Sequence, residues 1–520
     1  MLTKEQEEVA SVEAVAGQIV LVDAVAGSGK TTTLTQFCRR QAEKGKSILL
    51  ISFSRSDAED ARLRMRDLQP LVTVRTFDSI VHGQFRGGTI GYEMNPWAVG
   101  KYVAANWGVV RGDWPTPRRY LNQKRKRGSS APAVGGFAPF MISRDVAVGA
   151  VPVLQALLAH GLEPEDADES QWQRAATAAD AEAWWGKFSD IGVPLAKAVH
   201  ETVNLRARGP DTPVMVEWAR LCVSRQAQRV SEDVLLVDEV QDLNPNMVRW
   251  VQAQSHTFRM MCGDLRQHIF QFQHTANGFA EFRKCEGCRD MALTHSFRFG
   301  PEIASYVNST FGTSLVGSAK DAGRVVDGVL IETALMKARV GGTITLLCRT
   351  NKKLAELLMA VVTVLSRRSS PFEPDEYDWD STAWGRPRVC VMGLRSLEVI
   401  DSEARRCLVK GRKGYTTRLS EVKTGVDRWL CQQFGAARVL QAVGFMKEAA
   451  VRDEGRDFLV TDRGEARIVL STIHRFKGKE SDVVFLADDI ERSTEDEECA
   501  NILYTGLTRA RKEVLLANHF

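Results

Sequence analysis

The stretch Asp23-Ala-Val-Ala-Gly-Ser-Gly-Lys-Thr-Thr-Thr-Leu34, DAVAGSGKTTTL, decides how the rest of the chain is read. It follows the apolar run Gln18-Ile-Val-Leu-Val22, which has the look of a buried strand. Gly27 and Gly29 let the backbone curl so that successive N–H groups point inward, and such donors at a helix N-terminus suit polyphosphate. Lys30 adds a point charge for the β- and γ-phosphates, and the hydroxyl of Thr31 is placed for Mg²⁺. The usual pattern begins with a glycine, and that slot is Ala24 here. By itself the stretch is therefore also compatible with an ordinary Gly-rich turn.

A second stretch answers the first. Leu235-Leu-Val-Asp-Glu-Val-Gln-Asp242 ends an apolar strand on two carboxylates. Asp238 is suited to hold Mg²⁺ and Glu239 to activate a water. Two acids in a solvated turn would not explain the strand before them. Together the stretches point to hydrolysis of ATP or GTP. Phosphoryl transfer also needs positive charge at the departing phosphate. Arg298 in Leu293-Thr-His-Ser-Phe-Arg-Phe-Gly300 and Arg509 in Tyr504-Thr-Gly-Leu-Thr-Arg-Ala-Arg511 are candidates, although in isolation an arginine is more often a surface residue than a finger.

The organisation around these stretches is α/β. Strands are expected at 47–52, 72–77, 234–239 and 258–264, with a helix from about Ser56. A second set is expected at 343–348, 388–392, 467–472 and 483–487. From about Arg86 to Pro213 the pattern changes to helix-like pieces, such as Ala175 to Phe188, among glycines, tryptophans and prolines. This region holds the basic run Arg118-Arg-Tyr-Leu-Asn-Gln-Lys-Arg-Lys-Arg127, and residues 366–380 form a polar, acidic, proline-containing stretch expected on the surface. Lys124-Arg-Lys-Arg127 fits a nuclear import signal, a loop against a nucleic-acid backbone or a solvated charge run.

With 520 residues the chain exceeds one compact core. Its 44% hydrophobic and 26% charged residues are those of a soluble globular protein, and a net charge of +4 announces no partner. The N-terminal MLTKEQEEVA has no apolar signal core, and the longest apolar stretch, near Val146 to Ala159, is short of the ~20 residues a bilayer span needs. No membrane association is expected. Ten scattered cysteines fit a reducing compartment; Cys285-Glu-Gly-Cys288 has metal-like spacing but no second pair, so ordinary thiols are expected. These features place the chain inside the cell, with nucleus and cytoplasm equally open.

With those residues in view, the chain resembles superfamily 1 helicases of the UvrD/Rep type, and especially the helicase part of the F-box DNA helicases. Matches run in order from residue 2 to residue 511. Leu2-Thr-Lys-Glu-Gln6 is similar to the Q motif and AVAGSGKT to the family's Walker A form, which commonly has alanine in its first slot. Ser52-Phe-Ser-Arg55 resembles motif Ia, Thr76-Phe-Asp-Ser79 motif Ib, VDEVQD motif II and Gly263-Asp-Leu-Arg-Gln-His-Ile-Phe-Gln-Phe272 motif III. LTHSFRFG resembles motif IV, Leu470-Ser-Thr-Ile-His-Arg-Phe-Lys-Gly-Lys-Glu480 motif V and YTGLTRAR motif VI.

The resemblance implies two RecA-like parallel-sheet cores, each with a largely helical insertion. Core 1A would be 1–86 with 216–290, insert 1B 87–215, core 2A 291–393 with 456–520, and a short insert 2B 394–455. It implies ATP with Mg²⁺ held by Thr31 and Asp238, and a nucleotide cradle of Ala26, Gly27, Ser28, Gly29, Lys30, Thr31 and Thr32. Gln6 would read adenine, Phe297 stack on it, and Glu480 lie near the ribose. Glu239, Lys30, Gln267, Arg298 and Arg509 would carry the chemistry, Gln267 sensing the γ-phosphate and the arginines acting as fingers. Phe53, Thr76, Phe77, Phe272, Thr472 and His474 would face nucleic acid. Hydrolysis would ratchet the chain along single-stranded DNA, 3′→5′ by resemblance, acting at single/double-strand junctions as a monomer. A translocase that mainly strips bound proteins, a nucleotide-controlled binding protein, and RNA as substrate stay open. Asp78, Arg55-Ser56 and Gln273-His274 depart from the family pattern, all on the nucleic-acid side. With the Q motif at the start of the sequence, an F-box and a ubiquitin-ligase role are not expected.

Overall fold

The computed structural model describes residues 2–84, 90–91, 103–104, 107–109, 116–117, 140–141, 144–162, 164, 166–179, 181–207, 212–213, 229–271, 275–340, 342–366, 387–393, 439, 441–444 and 459–518. The basic run 118–127, residues 367–380 of the acidic stretch, Phe272 with Gln273 and His274, and most of 394–455 lie outside them. By contacts the chain divides into two units, one of 1–23 with 30–292 and one of 24–29 with 293–520.

The first unit is built on six strands, the four central ones buried almost throughout, as strands covered on two sides are, and the two outermost carrying exposed polar residues. They are β1 (Ile19–Ala24), β2 (Ile48–Ser52), β3 (Val72–Thr76), β4 (Val234–Asp238), β5 (Phe258–Gly263) and β6 (Cys288–Leu293). Their order in the sheet is β6-β1-β5-β4-β2-β3. β1 runs parallel to β5, β5 to β4, β4 to β2 and β2 to β3. In register, Val22 pairs with Cys262 and Asp23 with Gly263, while Cys262 pairs with Asp238. The ends of β1, β5 and β4 are thus level at one edge of the sheet.

Helices α1 (Lys4–Ala10), α2 (Lys30–Glu43), α3 (Arg55–Arg64), α4 (Phe77–Gln84), α8 (Pro245–Ala253) and α9 (Gly278–Arg283) accompany these strands. Trp250 of α8 packs edge-on against Phe77 of α4 at 6.2 Å inside the core. Between α4 and β4 come α5 (Arg144–Ala159), α6 (Glu169–Ala178) and α7 (Glu182–Ala207). They bury a core of their own, with Trp172 of α6 and Trp185 of α7 stacked at 6.0 Å. The single helical piece expected over 175–188 is two: α6 ends with Ala179 as its C-cap and α7 starts at Glu182. The alanine-rich sequence there carries neither glycine nor proline to mark a stop.

The second unit repeats the layout. Its sheet has the order β9-β14-β13-β10-β12-β11, every pair parallel. The strands are β9 (Arg324–Val329), β10 (Ile344–Cys348), β11 (Val389–Val391), β12 (Ile468–Thr472), β13 (Ser481–Leu486) and β14 (Ala510–Ala517). A two-stranded pair, β7 (His295–Ser296) with β8 (Val316–Gly317), precedes it. Helices α10 (Pro301–Phe311), α11 (Ile331–Arg339), α12 (Asn351–Ser366), the one-turn α13 (Ile473–Phe476) and α14 (Glu497–Leu507) complete the unit. The architecture is α/β with parallel sheets, as the sequence led us to expect. Among the described residues no helix is long and apolar enough to cross a membrane.

Candidate nucleotide site

At the level edge of the first sheet, Lys30 opens α2 and its ammonium meets the two acids that end β4. Lys30 Nζ lies 2.8 Å from Asp238 Oδ1 and also pairs with Glu239 Oε1. Burial opposes the charge on Lys30, but Asp238 and Glu239 outweigh it and hold the amine well above its usual range. Burial is also the main influence on Asp238; with the charge of Glu239 it overcomes the pull of Lys30 and lifts that carboxyl. One ammonium facing two carboxylates leaves an excess of negative charge. That donor set fits a divalent cation.

Glu239 has φ 57° and ψ 46°, the single non-glycine positive φ among the described residues. Strain of this kind costs about 1–3 kcal/mol and persists only where the surroundings fix it. Here Glu239 N donates to Asp238 Oδ1 at 2.9 Å, and Gln241 Nε2 donates to Glu239 Oε2. Gln241 Oε1 accepts from Asp264 N at 3.2 Å, just past the end of β5. Asp264 Oδ2 in turn accepts from Gln267 Nε2 at 2.7 Å. Asp23 Oδ1, at the end of β1, accepts from Leu265 N at 3.2 Å.

The loop 24–29 packs within the second unit. Ser296 Oγ donates to Ala26 O at 2.7 Å, and Phe297 N donates to Gly27 O at 2.8 Å. Gly27 has φ +76°, and a Cβ there would fall 2.5 Å from the Cβ of Arg298 and 2.8 Å from Ser296 Oγ. Only glycine fits this cradle. Ser28 is buried, while Thr31 is half-buried and Thr32 exposed. Phe297 is 47% exposed, a large ring left open beside the loop.

Arg298 Nε pairs with Glu480 Oε2 at 2.8 Å, and its NH1 donates to Thr508 O at 2.9 Å. Arg509 is 1% exposed and donates to Thr505 O at 2.9 Å, Lys479 O at 3.3 Å and Thr508 Oγ1 at 3.2 Å. The two arginines, 211 positions apart (509 less 298), thus meet at one residue, Thr508. Gln6 is buried and closes a capping box on α1, its Oε1 accepting from Thr3 N at 2.9 Å.

The residues expected to face nucleic acid divide. Phe53 is half-buried and stacked on Phe270 at 6.1 Å and 22°. Thr76 is half-buried, and its hydroxyl accepts from Ser79 N at 3.2 Å. His474 is half-buried, and Thr472 is 4% exposed at the start of α13. Phe77 is 2% exposed in the core of the first unit, so its ring cannot stack on a base; the expectation for that residue is replaced by a packing role. Phe272 lies outside the described residues. Cys285 and Cys288 are free thiols, and burial pushes Cys288 up to about 11.

Sequence alone does not single out Phe270, Gln241 or Thr508. Gln241 stands within VDEVQD, but its partners are atoms on another strand. Phe270 sits two residues from Phe272 with the same apolar spacing, and nothing in the sequence says which ring meets Phe53.

An AAA domain matches residues 6–273 and a UvrD-like helicase C-terminal domain matches residues 467–517. The chain is similar to F-box DNA helicase protein 1 of Schizosaccharomyces pombe, 24% identical over 99% of this chain and 57% of the relative. It is also similar to F-box DNA helicase 1 of Gallus gallus, 24% identical over 99% of this chain and 49% of the relative. The chain spans about half the length of the curated relatives it matches. The N-terminal match alone covers more than half of the 520 residues, and with the C-terminal match it makes this chain a member of the superfamily 1, UvrD-like helicase family.

Proposed function

We propose that the chain hydrolyses ATP and uses the cycle to move along single-stranded DNA, unwinding at junctions with duplex. The observation that carries the reading is the cluster of Lys30, Asp238 and Glu239 at the level ends of β1 and β4. Backbone donors of the 24–29 loop would cradle the β- and γ-phosphates. Thr31 and Asp238 would hold Mg²⁺, which when bound offsets charge on the β- and γ-phosphate oxygens. Lys30 would leave its pair with Glu239 for a phosphate oxygen, freeing Glu239 Oε1 to take a proton from the attacking water. Gln267 would report the γ-phosphate to motif III. Arg298 and Arg509 would stabilise the charge that develops there. Gln6 and Phe297 would hold the adenine and Glu480 the ribose.

The names of the relatives support DNA as the track. Phe53 and Phe270 supply half-buried stacked rings, and base–aromatic stacking is indifferent to sequence at about 1–3 kcal/mol per base. Phe272, Thr76, Thr472 and His474 join them in this reading, with movement 3′→5′.

The test is ATP turnover by the full chain with and without single-stranded DNA, and with single-stranded RNA as comparison. Turnover stimulated by DNA is expected. Lys30→Ala should abolish it and weaken nucleotide binding. Glu239→Gln should abolish it while keeping nucleotide bound. Near-normal turnover in Glu239→Gln would remove Glu239 as the base, and an inactive wild-type chain would remove the motor reading.

A further inference from the structure

We infer that Gln241 is a positioning residue: it holds the Glu239 carboxylate and ties it to the segment that carries Gln267. The inference rests on the ATPase reading above. Gln241 is fully buried, and both ends of its amide are used. A carboxylate only accepts and a backbone N–H only donates, so the amide has one permitted orientation. Lys30 holds one oxygen of Glu239 and Gln241 holds the other. When Lys30 turns to a phosphate, Gln241 keeps its grip on Oε2 and fixes where Oε1 points.

The other end of the amide gives the arrangement its reach. Gln241 Oε1 holds Asp264 N, and Asp264 holds the side chain of Gln267 and the N–H of Arg266 at 3.1 Å. Glu239, Gln241, Asp264 and Gln267 therefore form one continuous run of hydrogen bonds. A shift of Gln267 toward a phosphate moves Asp264, and the strained turn at Glu239 is moved with it. The backbone is shaped for this contact. A Cβ at Gly263 would overlap Gln241 Oε1 and lie 3.1 Å from Val240 N, so the close approach requires glycine. Carboxylate alignment is thereby made conditional on the state of the γ-phosphate sensor.

Two variants test this in the full chain. Gln241→Met keeps the volume and removes both hydrogen bonds. Gln241→Glu keeps the shape and puts an acceptor against Glu239. Each should lower kcat by about 100-fold, the scale of a misplaced catalytic group, with KM for ATP unchanged. In a Glu239→Gln background, Gln241→Met should add no further loss in single-turnover rate, because a residue that acts through Glu239 has nothing left to act on. Thermal melting guards against trivial failure; if Gln241→Met does not fold, Gln241→Glu carries the test. Wild-type kcat in both variants, or losses that add to that of Glu239→Gln, would overturn the positioning role while leaving the ATPase reading standing. A wild-type chain without turnover would instead defeat the reading on which the role rests.

Discussion

Asp23 is an acid at the end of an apolar strand, and burial lifts its carboxyl above the usual range despite the hydrogen bond from Leu265 N. A carboxyl whose folded value is raised favours the folded state when protonated. Its contribution is therefore full below the unfolded value, about pH 4, and is lost as pH rises through the folded value. At neutral pH the full cost of the buried charge is present. Asp23→Asn removes that charge and keeps an oxygen for Leu265. We expect the variant to melt higher than wild type at pH 7, with the gap closing as pH falls toward about 4; a constant gap across pH would mean that burial of Asp23 is not the cause. At this scale the sequence was informative where spacing itself is chemistry. Lys30, Asp238 and Glu239 stand at fixed distances from strand ends, and the structure brings them together. It was silent on side chains whose partners come from elsewhere. Gln241 meets Asp264 only because β4 and β5 are neighbours in register, and Phe77 is buried because its helix sets it against Trp250, whereas Phe53 lies in the turn after β2 and stacks on Phe270.

Strands were the most legible elements. A run such as Ile48–Ser52 is buried throughout, so every residue is apolar or small and no periodicity competes. Termini moved by a residue or two, as at β3, where Phe77 opens a helix rather than ending the strand. The insert was less legible, because its helices pack chiefly on one another and no breaker separates α6 from α7. This mutual packing has a consequence for stability. Among the described residues, the apolar clusters that hold Trp172, Trp184 and Trp185 consist of insert residues. Trp172→Ala should cost about 3–5 kcal/mol, the usual penalty for deleting a buried indole. The loss should fall on α5, α6 and α7, read as faster amide exchange there, while exchange in β1, β4 and β5 stays slow. Equal loosening of sheet and insert would show that the two fold as one cooperative body.

Across the whole molecule, two parallel sheets were legible as two sets of apolar strands separated by a change of pattern, and the family resemblance supplied the order. What neither could supply was how the arginines are held. Arg298 and Arg509 both bond to Thr508, one through its carbonyl and one through its hydroxyl. Arg509 also supports the end of α14 by donating to Thr505 O, so Arg509→Ala removes a structural bond along with any catalytic charge. That loss should appear as about 1–3 kcal/mol of stability, the cost of orphaned buried acceptors. Arg298 pairs with half-exposed Glu480 and gives one bond to Thr508 O, so Arg298→Ala should also lower the melting temperature, by less than Arg509→Ala, which leaves three acceptors without their donor. If both guanidinium groups act on one γ-phosphate, each alanine variant should keep ATP binding and lose about 10³–10⁵ in turnover. Groups that act as a unit are not additive, so the double variant should be scarcely slower than the worse single one. Single-turnover hydrolysis with melting on the same samples separates the two effects. Additive losses in the double variant would assign the arginines to separate steps, and normal turnover in Arg298→Ala would leave Arg509 as the sole candidate finger in this reading.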